Sequence, residues 1–210
     1  MEYVTIDFEA SCLPRHGRSF PIEVGISGAM GTRSWLIKPD AAWRNWGWTD
    51  EAFALHGIER ARLDEEGFPP DEIVSQLIRV IGPARVIADS TLDPVWWKML
   101  FAAAHQNVRE PDPLDIEHIS GIFDEIGATN DQIMFAYRRA STLCPKTHRA
   151  GPDARWLWAL TAILLRKCAD DRGRRNRVLT DIVWNSPARS LSLHPVANDD
   201  AAKIEGMISN

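Results

Sequence analysis

A mixed β-sheet flanked by α-helices is the fold that this sequence predicts, and three observations predict it. Residues 3–9 form a β-rich run in which side chains alternate between the two faces of a strand. Residues 21–29 and 32–37 are two more such runs, separated only by a turn at Met30-Gly31, which is the pattern of an antiparallel meander. Further along, helical patterns alternate with short strand-like runs, which adds parallel strands to the same sheet and helices to its faces.

The elements follow in order. Residues 40–68 read as irregular, with Trp43, Trp46 and Trp48 and one short helix near 50–55. Clustered tryptophans can stack on bases, but a plug of the loop against the core is the expected role here. Pro69-Pro70 opens a helix that runs to about residue 81, with Ile73, Val74, Leu77, Ile78 and Ile81 at helical spacing. Residues 85–88 are a short buried strand. Pro94 suits the first position of a helix over 94–105, packed by Trp96, Trp97 and Leu100. A further short strand is expected at 114–117 and a helix at 131–143. Residues 153–168, rich in Trp, Leu and Ala, form the strongest helix. A charged break at 170–177 follows, and 178–184 reads as helical. No internal repeat or low-complexity segment interrupts the chain.

Composition agrees with one compact domain. The chain has 210 residues, 45% hydrophobic and 25% charged, enough for a full core. No apolar run approaches the ~18 residues that span a bilayer, and the start lacks a signal-peptide pattern, so no membrane partner is expected. Cys12, Cys144 and Cys168 are odd in number and scattered, which fits reduced thiols in a cytoplasmic protein. The net charge of −5 argues against a broad nucleic-acid-binding face. Basic residues do cluster locally, however. Arg138, Arg139, Lys146 and Arg149 form one group, and Arg166, Lys167, Arg172, Arg174, Arg175 and Arg177 another. The second group reads as a solvated helix end, with a phosphate-contacting face as the alternative.

The acidic residues carry the chemistry. In Val4-Thr5-Ile6-Asp7-Phe8-Glu9, Asp7 and Glu9 are two apart and point to the same face of a core strand, while Phe8 points into the core. Two carboxylates side by side repel one another and resist burial. A hard divalent cation with oxygen ligands removes that conflict. Asp93 follows the apolar patch Val86-Ile87-Ala88, and His148 and Asp153 stand five apart where the last long helix begins.

In these places the chain resembles the DEDDh 3′–5′ exonucleases, the family of polymerase proofreading subunits, ribonuclease T and oligoribonuclease. Asp7-Phe8-Glu9 matches the D-x-E of the first family motif, and the run from Val86 to Asp93 matches the second. His148-Arg149-Ala150-Gly151-Pro152-Asp153 matches the H-x-x-x-x-D of the third, and Ala54-Leu55-His56-Gly57-Ile58 is a further family-like segment. Family members often carry Asn four residues before the acid of the second motif. This chain has Asp89 there, so Asp89 and Asp93 compete for one role, and Asp93 fits the spacing better. The resemblance covers roughly residues 1–168. It implies an exonuclease domain over 1–170, with 171–210 as an extension, and an α/β fold of the ribonuclease H-like type.

It also implies a mechanism. Two Mg²⁺ or Mn²⁺ ions would be held by Asp7, Glu9, Asp93 and Asp153, with Asp7 shared, and His148 would be the general base. Gly151-Pro152 would belong to a mobile loop that lets His148 swing in. Backbone at Ala10 and Ser11 would floor the pocket for the terminal nucleotide. His56 would stand at its edge, or else have a helix-capping or hydrogen-bonding role. The expected partner is a single-stranded DNA or RNA 3′ end. Homodimer formation, the choice of sugar and a non-cleaving binding role on the same fold all stay open.

Overall fold

The computed structural model describes residues 2–105 and 114–171. Five strands form one sheet in the order β3-β2-β1-β4-β5. They are β1 (Tyr3–Ala10), β2 (Pro21–Gly28), β3 (Gly31–Leu36), β4 (Arg85–Ala88) and β5 (Ile116–His118). β1 to β3 are the antiparallel meander, and β4 and β5 extend it in parallel. Seven helices accompany the sheet: α1 (Asp50–His56), α2 (Arg60–Glu66), α3 (Pro70–Ile81), α4 (Asp93–Ala104), α5 (Ile119–Ile126), α6 (Asn130–Leu143) and α7 (Ala150–Asp171). This is the mixed α/β sheet that the periodicity predicts.

Alternation along the strands assigns the two faces. Val4, Ile6 and Phe8 of β1 join Ile22, Val24 and Ile26 of β2 in a core completed by Leu77 of α3 and Leu100 of α4. The other face carries Thr5, Asp7 and Glu9 on β1 and Glu23, Gly25 and Ser27 on β2, and α7 lies against both strands. Thr5 Oγ1 donates to the Ala154 carbonyl at 2.6 Å and ties β1 to the helix. Leu157, Leu160 and Leu164 of α7 pack with Ile119 and Ile122 of α5 and with Ile87 of β4 in a second core. Gly25 is what lets α7 come so close. A Cβ there would stand 2.1 Å from the Ala150 carbonyl oxygen.

Several elements differ from the sequence reading. Residues 40–68 are not wholly irregular beyond one helix, because α2 and a 3-10 turn at Ala41–Trp43 lie there as well. α2 buries only Leu63 and has no capping side chain, so it leaves no periodic trace. α5 is a helix absent from the sequence reading, although Ile119, Ile122, Phe123 and Ile126 stand at helical spacing. Its start is capped by the His118 side chain, and Gly127 ends it in the left-handed region. β5 begins two residues later and ends one residue later than expected, at the register in which Val86 pairs with Ile116. α7 begins at Ala150, so Gly151-Pro152 form its first turn and are not part of a loop. Proline is tolerated there because first-turn N–H groups have no partner within the helix.

The tryptophans do plug the loop: Trp43 is buried against Phe20, and Trp46 and Trp48 pack on the same core. Cys12, Cys144 and Cys168 are buried thiols, and none of them forms a disulfide. Among the described residues, no helix is long and apolar enough to cross a membrane. The extension beyond Asp171, including the expected helix at 178–184 and the basic residues from Arg172 to Arg177, lies outside the described residues.

Candidate active site

β1 and β4 are parallel neighbours, and the site forms beyond their carboxyl ends, where open α/β sheets hold ligands. Asp7 and Glu9 project from the last half of β1, next to an irregularity between Glu9 and Ala10 that ends its regular pairing with β2. After β4 the chain turns through Asp89 and Ser90. Ser90 Oγ accepts from the Leu92 N–H at 3.1 Å, and Asp93 opens α4. Asp153 comes from the first turn of α7, and its Oδ1 accepts from the Thr147 N–H at 2.8 Å.

Tertiary folding thus joins all five acids. Carboxylate oxygens of Asp7, Glu9 and Asp153 lie within 4.8 Å of one another, and so do those of Asp7, Asp89 and Asp93. Asp7 belongs to both groups. Asp93 is only 2% exposed, and its Oδ2 has no hydrogen-bond partner.

The electrostatics follow from burial. Loss of water around Asp7 raises its pKa well above the usual carboxylate range, and Asp93, Glu9 and Asp153 raise it further. Glu9 is pushed up to about 8 by burial and by the neighbouring Asp153 and Glu23. Asp93 is also pushed up to about 8, by burial and then by Asp89. Buried, mutually repelling oxygens with one atom unpartnered are a donor set that suits hard cations such as Mg²⁺ or Mn²⁺.

Not every candidate is equally available. Asp89 Oδ2 is held by Lys146 Nζ at 2.5 Å, and that ammonium sits 4.4 Å from the Trp156 ring centroid. His148 is exposed, on the loop between α6 and α7, with φ 55. Ala10 is half-buried at the end of β1, beside the site. Ser11 is buried, and its polar groups are engaged by the fold. Its N–H donates to the Phe20 carbonyl, its hydroxyl accepts from the Phe20 N–H and its carbonyl accepts from the Thr49 N–H.

His56 is buried at the end of α1 between Trp48 and Phe53. Its Nδ1 accepts from the Ile58 N–H at 2.9 Å, a hydrogen bond that closes the turn after α1. Burial lowers its pKa to about 4, which leaves the ring neutral with its proton on Nε2, and Nε2 is buried without a partner.

Two residues of the site went unread in the sequence, Glu23 and Lys146 as the partner of Asp89. The signal for Glu23 was present: Pro21-Ile22-Glu23-Val24 places a carboxylate inside a core strand. Lys146 had no local signal, because its partner lies 57 residues away.

No protein-family model matches the chain, and no curated protein matches it. Solved structures do. The nuclease domain of 3′hExo, a DEDDh family member bound to rAMP, aligns with a TM-score of 0.56 and 15% identity over 79% of this chain and 91% of that one. Pop2p of S. pombe, in its Mg²⁺- and Mn²⁺-bound form, aligns with a TM-score of 0.53 and 14% identity over 82% and 84% of the two chains. A moderately thermophilic exonuclease I from Methylocaldum szegediense aligns with a TM-score of 0.52 and 16% identity over 86% of this chain and 42% of that longer one. At such identities the likeness concerns architecture, and the architecture of this chain is that of the DEDDh-type 3′–5′ exonuclease domains, the ribonuclease H-like mixed sheet with helices on its faces.

Proposed function

We infer that the chain is a metal-dependent 3′–5′ exonuclease that hydrolyses phosphodiester bonds at the 3′ ends of single-stranded nucleic acid. One observation carries this reading. Two groups of carboxylates share Asp7 at the open ends of β1 and β4, and burial of Asp7, Asp93 and Asp153 among them makes a counter-ion favourable there. The fold agrees with it, and relatives of that fold were seen with rAMP or with Mg²⁺ and Mn²⁺.

Asp7, Glu9 and Asp153 would hold one cation, and Asp7 with Asp93 the second. Such a pair, when bound, neutralises charge on both the attacking and the leaving oxygen of an in-line displacement. His148 takes the proton of the attacking water, a task for which an imidazole is suited near neutral pH. Its ring is exposed on the loop that leads into α7, five residues before Asp153. Lys146 already neutralises Asp89, so Asp93, with its open Oδ2, is the ligand of the second motif. The His56 Nε2–H would donate to an oxygen of the terminal nucleotide, and the backbone at Ala10 would floor its pocket. The catalytic unit is residues 1–170.

The test uses 5′-labelled single-stranded DNA and RNA oligonucleotides, with Mg²⁺, Mn²⁺ or a chelator. Stepwise shortening from the 3′ end should require metal and vanish in Asp7→Ala. Internal cuts, cleavage in chelator, or an active Asp7→Ala variant would overturn the reading.

A further inference from the structure

We propose that Glu23 is a positioning residue for His148, acting through a clasp of Glu23 with Arg149 and Ala150. The proposal rests on the nuclease reading above for what His148 does, but the clasp itself is a matter of geometry.

Glu23 sits on β2 directly across from Glu9 and is 2% exposed. A second buried acid at this point adds to the repulsion that already strains the site. Its oxygens are nonetheless fully used. Oε2 accepts from Arg149 Nε at 2.9 Å and from the Ala150 N–H at 3.0 Å, and Oε1 accepts from the second arm of the guanidinium at 2.8 Å. A paired fork of this kind fixes direction as well as distance. Glu23 is therefore committed to the chain around residue 150 and stands apart from the carboxylates that are free to take a cation.

That chain begins one residue after His148. Among the described residues, His148 is the one non-glycine residue with positive φ, at 55°. A side chain in the left-handed region persists only where its surroundings hold it there. Here both flanks are held. Thr147 donates its N–H to Asp153 on one side, and Arg149 and Ala150 are gripped by Glu23 on the other. Gly25, two residues along the same strand face, gives Ala150 the room to approach. β2 is thus the rail on which the loop is set, and the direction in which His148 leaves the backbone follows from it.

Glu23→Gln tests this, because it keeps the shape and removes the charge that holds the guanidinium. We expect kcat to fall ~10–100-fold, as loss of alignment does. KM and the calorimetric Mn²⁺ affinity should stay within about twofold. In a His148→Ala background the same substitution should cost nothing further, since it acts through the missing imidazole. Additive losses, or a weakened Mn²⁺ affinity, would overturn the proposal.

Amide hydrogen exchange over residues 147–150 gives a readout that needs no turnover. It should quicken in Glu23→Gln, and unchanged exchange would overturn the clasp. A parent protein that cuts no nucleic acid would overturn the nuclease reading while leaving this measurement intact. Arg149→Lys, which keeps the charge but not the fork, provides a second variant with the same expected pattern should Glu23→Gln not fold.

Discussion

Asp89 and Asp93 stand four residues apart and differ in what already holds them. Asp89 lies under the Lys146 ammonium, while Asp93 is buried at the start of α4 with an open oxygen. Asparagine keeps the volume of either residue and removes its charge. Asp93→Asn should lower turnover ~10²-fold or more, the usual loss for a charge-stabilising group. Asp89→Asn should cost far less, because a cation already offsets that charge. Steady-state rates of the two variants decide the matter, and the reverse ranking would exchange their roles. His148 makes a separate prediction. His148→Ala should lose ~10²–10⁴-fold in rate, the worth of general-base help. It should still bind Mn²⁺ by calorimetry, since every carboxylate remains. Loss of Mn²⁺ binding would make His148 a ligand, and an unchanged rate would remove it from the chemistry.

At the scale of elements, α7 is the piece that assembles the site. It brings Asp153 to Asp7 and Glu9, and its first turn rests on the backbone of β2. Gly25→Ala should therefore displace the whole first turn. Overpacking of this kind costs ~1–3 kcal/mol, and here the clash is with backbone, which yields poorly. Urea unfolding should show a lower midpoint, and turnover should fall with it because Asp153 and His148 move together. A variant with unchanged stability and rate would mean that α7 does not depend on this contact. α1 is placed by other means: Thr49 caps its start and Gly57, at φ 64, ends it, which sets His56 at its last position.

For the molecule as a whole, the acid cluster links folding to pH and to metal. Glu9 and Asp93 titrate at about 8 in the folded chain, and Asp7 well above the usual range. Unfolded, these groups titrate near ~4. The folded state therefore binds more protons across that interval. The stability these groups contribute is fully present below about pH 4 and is lost as pH rises through about 8. In chelator, the melting temperature should fall between about pH 5 and about pH 8 from this cause. Millimolar Mn²⁺ should raise it, and more at the upper pH, because the cation binds the ionised form. A shift that is equal at both values would separate the metal effect from these carboxylates.

Local order alone determined much of this protein. The alternation in residues 3–9 placed Asp7 and Glu9 on one face and Phe8 in the core, and the helical spacing over 70–81 and the strand at 85–88 match α3 and β4. Such features are legible because each depends on neighbours within a few residues. The short α2 leaves no such trace, since it buries only Leu63. α5 does carry a period, with Ile119, Ile122, Phe123 and Ile126 at helical spacing, but over only two turns. The family resemblance named acids that meet, but only the tertiary structure decided which of them were already paired and how deeply they are buried. Glu23 with Arg149 spans 126 positions, and Asp89 with Lys146 spans 57. No local pattern encodes a contact at that range. It follows from the order of strands in the sheet and from the close seat of α7 on β2, and the same burial that seats the helix gives the carboxylates their need for a cation.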